Sequence, residues 1–137
     1  MSTWKKILFP TDFSEAAEHA LHFAVSIARK FGGKLDVVHV LAMHRADQSE
    51  AERELPGAVP EAYADAVASR ETVRAVSPEV GIVEAARSRG SDLIVIGTHG
   101  RTGLKHVVLG SVAERVVQHA PVAVLTVRWP GHSFQTL

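Results

Sequence analysis

The stretch whose reading decides the fold is residues 93–120, LIVIGTHGRTGLKHVVLGSVAERVVQHA. Leu93, Ile94, Val95 and Ile96 form an unbroken apolar run with β-branched members, the pattern of a strand covered on both faces. The run empties into a loop punctuated by Gly97, Gly100, Gly103 and Gly110. Ser111 and Glu114 then read as an S-x-x-E capping box that opens a helix. In an α/β protein, a strand, a glycine loop and a helix N-terminus in that order are where a phosphate is usually held, because backbone N–H groups and the helix dipole converge there. This stretch is therefore expected to be half of a nucleotide site.

Upstream, residues 5–9 read as a short strand stopped by Pro10, Thr11 and Asp12. A helix follows from about Ser14, a preferred N-cap residue type, with Glu15 and Glu18 near the positive end of the dipole. Ala17, Ala20, Leu21, Ala24, Ile27, Ala28 and Phe31 recur by threes and fours as its apolar face, and Gly32-Gly33 supplies a left-handed stop. Residues 35–41, LDVVHVL, read as a second strand, so the first third of the chain is a βαβ unit with a right-handed crossover. Residues 42–60 are charged and interrupted by Pro56, Gly57 and Pro60, which suits a solvated connection with a helix starting at Gln48. A short second helix is expected over residues 61–70 and an edge strand over 71–76, with Val73 and Ala75 on one face. Ser77 caps a third helix with Pro78 at its first position, buried through Val80, Ile82, Val83 and Ala86. After the last helix, Pro121 breaks the chain and residues 122–127, opening on Val122 and closing on Val127, form a fifth strand.

Strands and helices alternate throughout, which predicts an α/β fold: one doubly wound, five-stranded parallel sheet with helices on both faces. The neighbour and handedness rules favour strand order 3-2-1-4-5 in one domain spanning residues 1–137. In such a sheet the ligand crevice lies beyond the carboxyl ends of the strands where the winding reverses, here between the first and fourth strands. Two loops meet there, one with Pro10, Thr11 and Asp12 and the other running from Gly97 to Gly110. A carboxylate beside phosphate is repelled, so Asp12 belongs near a sugar, whose hydroxyls it can accept.

Composition bounds the partners. Fifteen basic and fifteen acidic residues cancel, so there is no electrostatic footprint for nucleic acid or an anionic membrane. The apolar run after Lys5 and Lys6 is broken at Pro10, too early for a signal peptide or a membrane span. The absence of cysteine fits a reducing cytoplasm and removes any thiolate metal site. No G-x4-G-K-[ST] or G-x-S-x-G motif is present, so neither P-loop machinery nor a hydrolase elbow is expected. A phosphoacceptor Asp after the third strand, which a receiver domain needs, is replaced by Val76-Ser77. His19 and His22 lie close on one helix without a third ligand in view, so no metal is expected. His99 and Arg101 lie inside the glycine loop, where contact with phosphate and ordinary loop exposure are both open.

The spacing Gly97-x2-Gly100-x9-Gly110-Ser111 resembles the ATP-binding signature of the universal stress protein family, G-x2-G-x9-G-[S/T]. The opening KKILFPTDFSEAAEHAL, the strand-ending VVHV and the closing LGSVAERVVQHAPVAVLTV are similar to that family as well, so the resemblance covers nearly the whole chain. It implies an ATP-binding stress protein that responds to nucleotide and is not an enzyme, with Mg2+ as an optional companion. Carried over residue by residue, it places Asp12 on the ribose, the Val40 backbone on adenine, and Pro10 and Thr11 along the base. Gly97, Gly100, Gly110, Ser111 and Val112 would take the phosphate side, with Ile96 at the entry to that loop. It further implies a homodimer through the fifth strand. Between the second and third strands the chain departs from the family, with a shorter second helix and Val76-Ser77-Pro78 in place of a glycine-containing turn. Two alternatives stay open: slow ATP hydrolysis or phosphoryl transfer in the same cleft, and a non-nucleotide module acting through its dimer surface.

Overall fold

The computed structural model describes residues 4–42, 48–98 and 110–128. Five strands carry the fold: β1 (Lys6–Pro10), β2 (Lys34–Ala42), β3 (Val67–Ala75), β4 (Leu93–Gly97) and β5 (Ala123–Val127). Between them run α1 (Glu15–Phe31), α2 (Gln48–Glu54), α3 (Pro78–Arg89) and α4 (Ser111–His119), with 3-10 turns at Leu55–Ala58 and Glu61–Ala66. Every strand pair is parallel and the order is β3-β2-β1-β4-β5, as the alternation of elements predicts.

Side chains alternate across the sheet with the two-residue period of a strand. Ile7, Phe9, Leu35, Val37, Leu93 and Val95 point to one face, where Ala20, Leu21, Ala24 and Val25 of α1 cover them together with Leu55 and Val59. Leu8, Val38, Ile94 and Ile96 point to the other, against Ile82, Ala85 and Ala86 of α3 and Ala113 and Val116 of α4. Each fully buried Leu, Ile, Val or Phe contributes about 1.5–3 kcal/mol, so both cores must form for the sheet to hold. Because α1 lies on one face and α3 and α4 on the other, the winding reverses between β1 and β4. That reversal is what opens a crevice at the carboxyl ends of these two strands.

Local chemistry sets the ends of α1. The Ser14 hydroxyl accepts from the Ala17 N–H at 3.1 Å, and Gly32 at φ 68° is the left-handed stop. Four expectations are corrected. Residues 61–70 are helical only in part: a 3-10 helix covers Glu61–Ala66, and β3 begins at Val67, running alongside β2 from Leu35 to Ala42 with a bulge between Leu35 and Asp36. The alanines there favour helix intrinsically, but the nine residues of β2 offer hydrogen-bonding partners over their whole length, and pairing prevails. Ser111 is the first residue inside α4 and not its cap; Gly110 occupies the N-cap position. Val80 is exposed, and the buried side of α3 is Gly81, Ile82, Val83, Ala85 and Ala86. Finally, β5 starts at Ala123, one residue after Val122.

Candidate functional site

The end of β1 is held by a relay of short bonds. The Thr11 N–H donates to the Val38 carbonyl at 2.9 Å, prolonging the β1–β2 contact past Pro10. The Thr11 hydroxyl accepts from the Phe13 N–H at 3.0 Å, and Asp12 Oδ1 accepts from the Ser14 N–H at 3.0 Å. Both are side-chain turns of the kind that Thr and Asp make around their own backbone. Thr11 and Pro10 are buried while the Asp12 carboxylate is exposed at the mouth of the crevice. Phe13 sits at φ 65°, a left-handed conformation that costs a bulky residue about 1–2 kcal/mol. Its ring rests on the imidazole of His39, with centroids 4.4 Å apart and planes 31° from parallel.

Beside this loop, the end of β2 carries Val40, half-buried and opposite Val73 of β3. Its side chain lies over Gly81 of α3: a Cβ on Gly81 would stand 2.6 and 2.8 Å from the two Val40 methyls. Glycine at position 81 therefore lets the first turns of α3 approach β2 at the crevice edge. Glu79 in the same turn reaches Arg115 of α4 at 3.3 Å. Burial alone would raise the Glu79 carboxyl, but its own backbone N–H, the Ser77 hydroxyl and Arg115 outweigh that and hold it below the usual carboxylate range. The Ser77 hydroxyl makes no capping bond to the helix, although Ser77 holds the N-cap position.

On the other side, β4 lies beside β1 with Leu93 next to Ile7 and Ile94 next to Leu8, so the two strands end at the same edge. Ile96 is buried among α3 and α4 and its side chain belongs to the core. Gly97 closes β4, and a Cβ there would stand 2.7 Å from the Ala16 carbonyl oxygen and 2.9 Å from its carbon. Gly110, before α4, is extended at φ −69° and ψ 162°, and its carbonyl accepts from the Glu114 N–H at 2.9 Å. Ser111 is exposed, and Val112 packs in part on the α3–α4 core. Gly100, Gly103, His99 and Arg101 lie outside the described residues.

The fold thus assembles Pro10, Thr11, Asp12, Val40 and Gly97 at the carboxyl edge of adjacent strands, with Gly110, Ser111 and Val112 opening the helix that follows β4. Sequence reading missed His39, Phe13 and Gly81. The T-D-x-S run marks a side-chain turn, which was the available signal for Phe13; nothing local marks the other two. A separate cavity of about 490 Å³ lies on the α1 side of the same loop, walled by Phe9, Thr11, Phe13, Ala17, Arg53 and Pro60 among others. Among the described residues there is no group of three His, Asp or Glu able to hold a metal, and no helix long and apolar enough to cross a membrane.

Comparison with known proteins gives a consistent result. The model of the universal stress protein family matches residues 3–128. The chain is 29% identical over 157 residues to universal stress protein MJ0577 of Methanocaldococcus jannaschii, covering 91% of this chain and 95% of that protein. The solved structure of MJ0577 superposes with a TM-score of 0.81, over 96% of this chain and 100% of that one. A universal stress protein in complex with cAMP is similar at TM-score 0.75 and 26% identity, over 93% and 98% of the two chains. The Archaeoglobus fulgidus universal stress protein in complex with dAMP is similar at TM-score 0.68 and 28% identity, over 92% and 98%.

Proposed function

This chain belongs to the universal stress protein family, and we propose that it binds ATP between the loop after β1 and the glycine loop after β4, responding to nucleotide without turning it over. The observation that carries the reading is that β1 and β4 end side by side where the winding reverses, each followed in the chain by a different kind of loop. One offers a carboxylate, Asp12, on a buried base of Pro10 and Thr11; the other ends at a helix whose N-cap has no side chain. The first N–H groups of α4 are then available to an anion, and the helix field adds about 0.3–1 kcal/mol per charge. In this reading Asp12 accepts a ribose hydroxyl, the Val40 backbone meets adenine, and Gly97, Gly100, Gly110, Ser111 and Val112 surround the phosphates. Ile96 contributes through its backbone, since its side chain is spent in the core.

Mg2+ would accompany the phosphates as counter-charge. No P-loop lysine is present and no general base is assigned, so catalysis is not part of the proposal. A cytoplasmic homodimer joined along the β5 edge completes it, in one domain.

A second reading has its own support: two similar universal stress proteins were solved in complex with cAMP and with dAMP, each a nucleotide with a single phosphate. Under it, the ligand is an adenine nucleoside monophosphate. Calorimetry on nucleotide-stripped protein separates the two. ATP binding stronger than AMP and cAMP supports the first reading, the reverse order supports the second, and no heat at millimolar nucleotide defeats both. Gly110→Val should abolish binding with the fold intact. Any L-residue adopts the Gly110 backbone angles, so the loss would report on crowding of the phosphate cradle and not on backbone strain.

A further inference from the structure

We infer that His39 is a positioning residue for this nucleotide site, acting together with Phe13; the inference rests on the reading proposed above and adds a residue to it. Three contacts converge on one imidazole. His39 Nδ1 lies 2.7 Å from the Thr11 carbonyl oxygen, and a carbonyl can only accept, so Nδ1 carries the proton and donates. The face of the same ring carries the ring of Phe13. The chain continues from His39 directly into Val40.

Thr11 and Phe13 are the two neighbours of Asp12, so one side chain grips the loop on both sides of the ribose-facing carboxylate. Phe13 gives the grip its direction. At φ 65° a bulky residue is held against its own preference, and its ring is packed between His39 and the α1-side core, which holds it there. Released from His39, Phe13 would relax toward negative φ and carry Asp12 with it. The Asp12 Oδ1 bond to the Ser14 N–H crosses that torsion, and the Thr11 hydroxyl bond to the Phe13 N–H lies beside it, on the residue whose carbonyl His39 holds. His39 therefore fixes the separation between the adenine-side strand and the ribose-side loop before any ligand arrives, and binding loses less conformational entropy for it.

The test uses the full chain and adenine nucleotide, with four proteins: wild type, His39→Ala, His39→Asn and Phe13→Gly. Asparagine keeps a donor near the Nδ1 position and removes the ring; glycine takes the left-handed backbone freely and removes the stacked partner. Two readouts are taken: nucleotide affinity by calorimetry, and amide hydrogen exchange at Phe13 and Ser14 in nucleotide-free protein. His39→Ala should weaken binding about tenfold, the upper factor for one neutral hydrogen bond, and speed exchange at both amides. His39→Asn, which keeps the donor and loses the stacked ring, should recover part of the affinity and of the protection, and Phe13→Gly should weaken binding while unfolding at close to the wild-type temperature. Should His39→Ala fail to fold, Phe13→Gly against His39→Asn carries the same comparison. Wild-type affinity in His39→Ala, or equal loss in the alanine and asparagine variants, overturns the inference and leaves the proposed function standing. Wild-type protein that binds no nucleotide overturns the proposed function, and the inference falls with it.

Discussion

Gly97 is held to glycine by α1. The backbone of Ala16 occupies the space a Cβ would need, with the carbonyl oxygen 2.7 Å away, and backbone in the first turn of a helix cannot step aside as a flexible side chain can. Gly97→Ala should therefore cost about 1–3 kcal/mol, measured as a fall in the urea or thermal midpoint, before any effect on ligand is considered. A variant of wild-type stability would show that α1 can retreat. Gly110, thirteen positions on, looks equivalent in the sequence, yet its backbone is extended and open to any residue. Both glycines were legible as members of a spaced set; the reason for each was not, because one depends on a helix eighty residues upstream and the other on the cradle itself. Asp12 was singled out from its place at a strand end. His39 was not, because a histidine inside a strand carries no local sign that it will meet a carbonyl 28 residues away.

At the scale of elements, the segment between β2 and β3 is the least autonomous. Its second 3-10 turn is tied to α1: Arg29 forks onto Asp65 at 2.7 and 3.2 Å and donates to the Ala62 carbonyl at 2.8 Å. His22 and the Tyr63 hydroxyl share a hydrogen bond of 2.6 Å in the same seam. The hydrogen bond from Arg29 holds the Asp65 carboxyl below its ordinary value. Since the folded form binds this proton less readily than the unfolded chain, stability from the pair is complete above the ordinary aspartate range of about 3.9. It is lost as pH falls through the lower folded value. Asp65→Asn should thus lower the urea midpoint slightly at neutral pH, and the gap from wild type should close on acidification below about pH 4. A gap that stays constant or widens in acid would remove the ion pair from the account. Both partners are exposed, so the effect is small and fades with salt. This is also where sequence reading of an element failed. Ala62, Ala64, Ala66 and Ala68 promise helix by propensity, whereas the strand from Val67 exists because β2 lies beside it.

At the scale of the molecule, two apolar layers sandwich the sheet and leave β3 and β5 as its edges. The β5 edge is the more apolar of the two, with Leu125 37% exposed there and Val117 of α4 47% exposed, a surface suited to a second copy of the chain. Under the proposed pairing, Leu125→Asp should shift the protein from dimer to monomer by sedimentation velocity while leaving the cores intact. A wild-type protein that sediments as a monomer would discard the pairing.

The alternation of apolar runs and helical periods determined by itself the α/β class, the parallel sheet and the order β3-β2-β1-β4-β5, because those follow from period, handedness and short connections. It also nominated the two halves of the candidate site, since strand ends and glycine loops are local features. The tertiary structure alone decided where β3 begins, which glycines are there to admit a neighbouring backbone, and that His39 meets both the Thr11 carbonyl and the Phe13 ring. Each of these is a contact between residues distant in the chain, and its outcome is set by the space and the hydrogen-bonding partners that the rest of the fold leaves open.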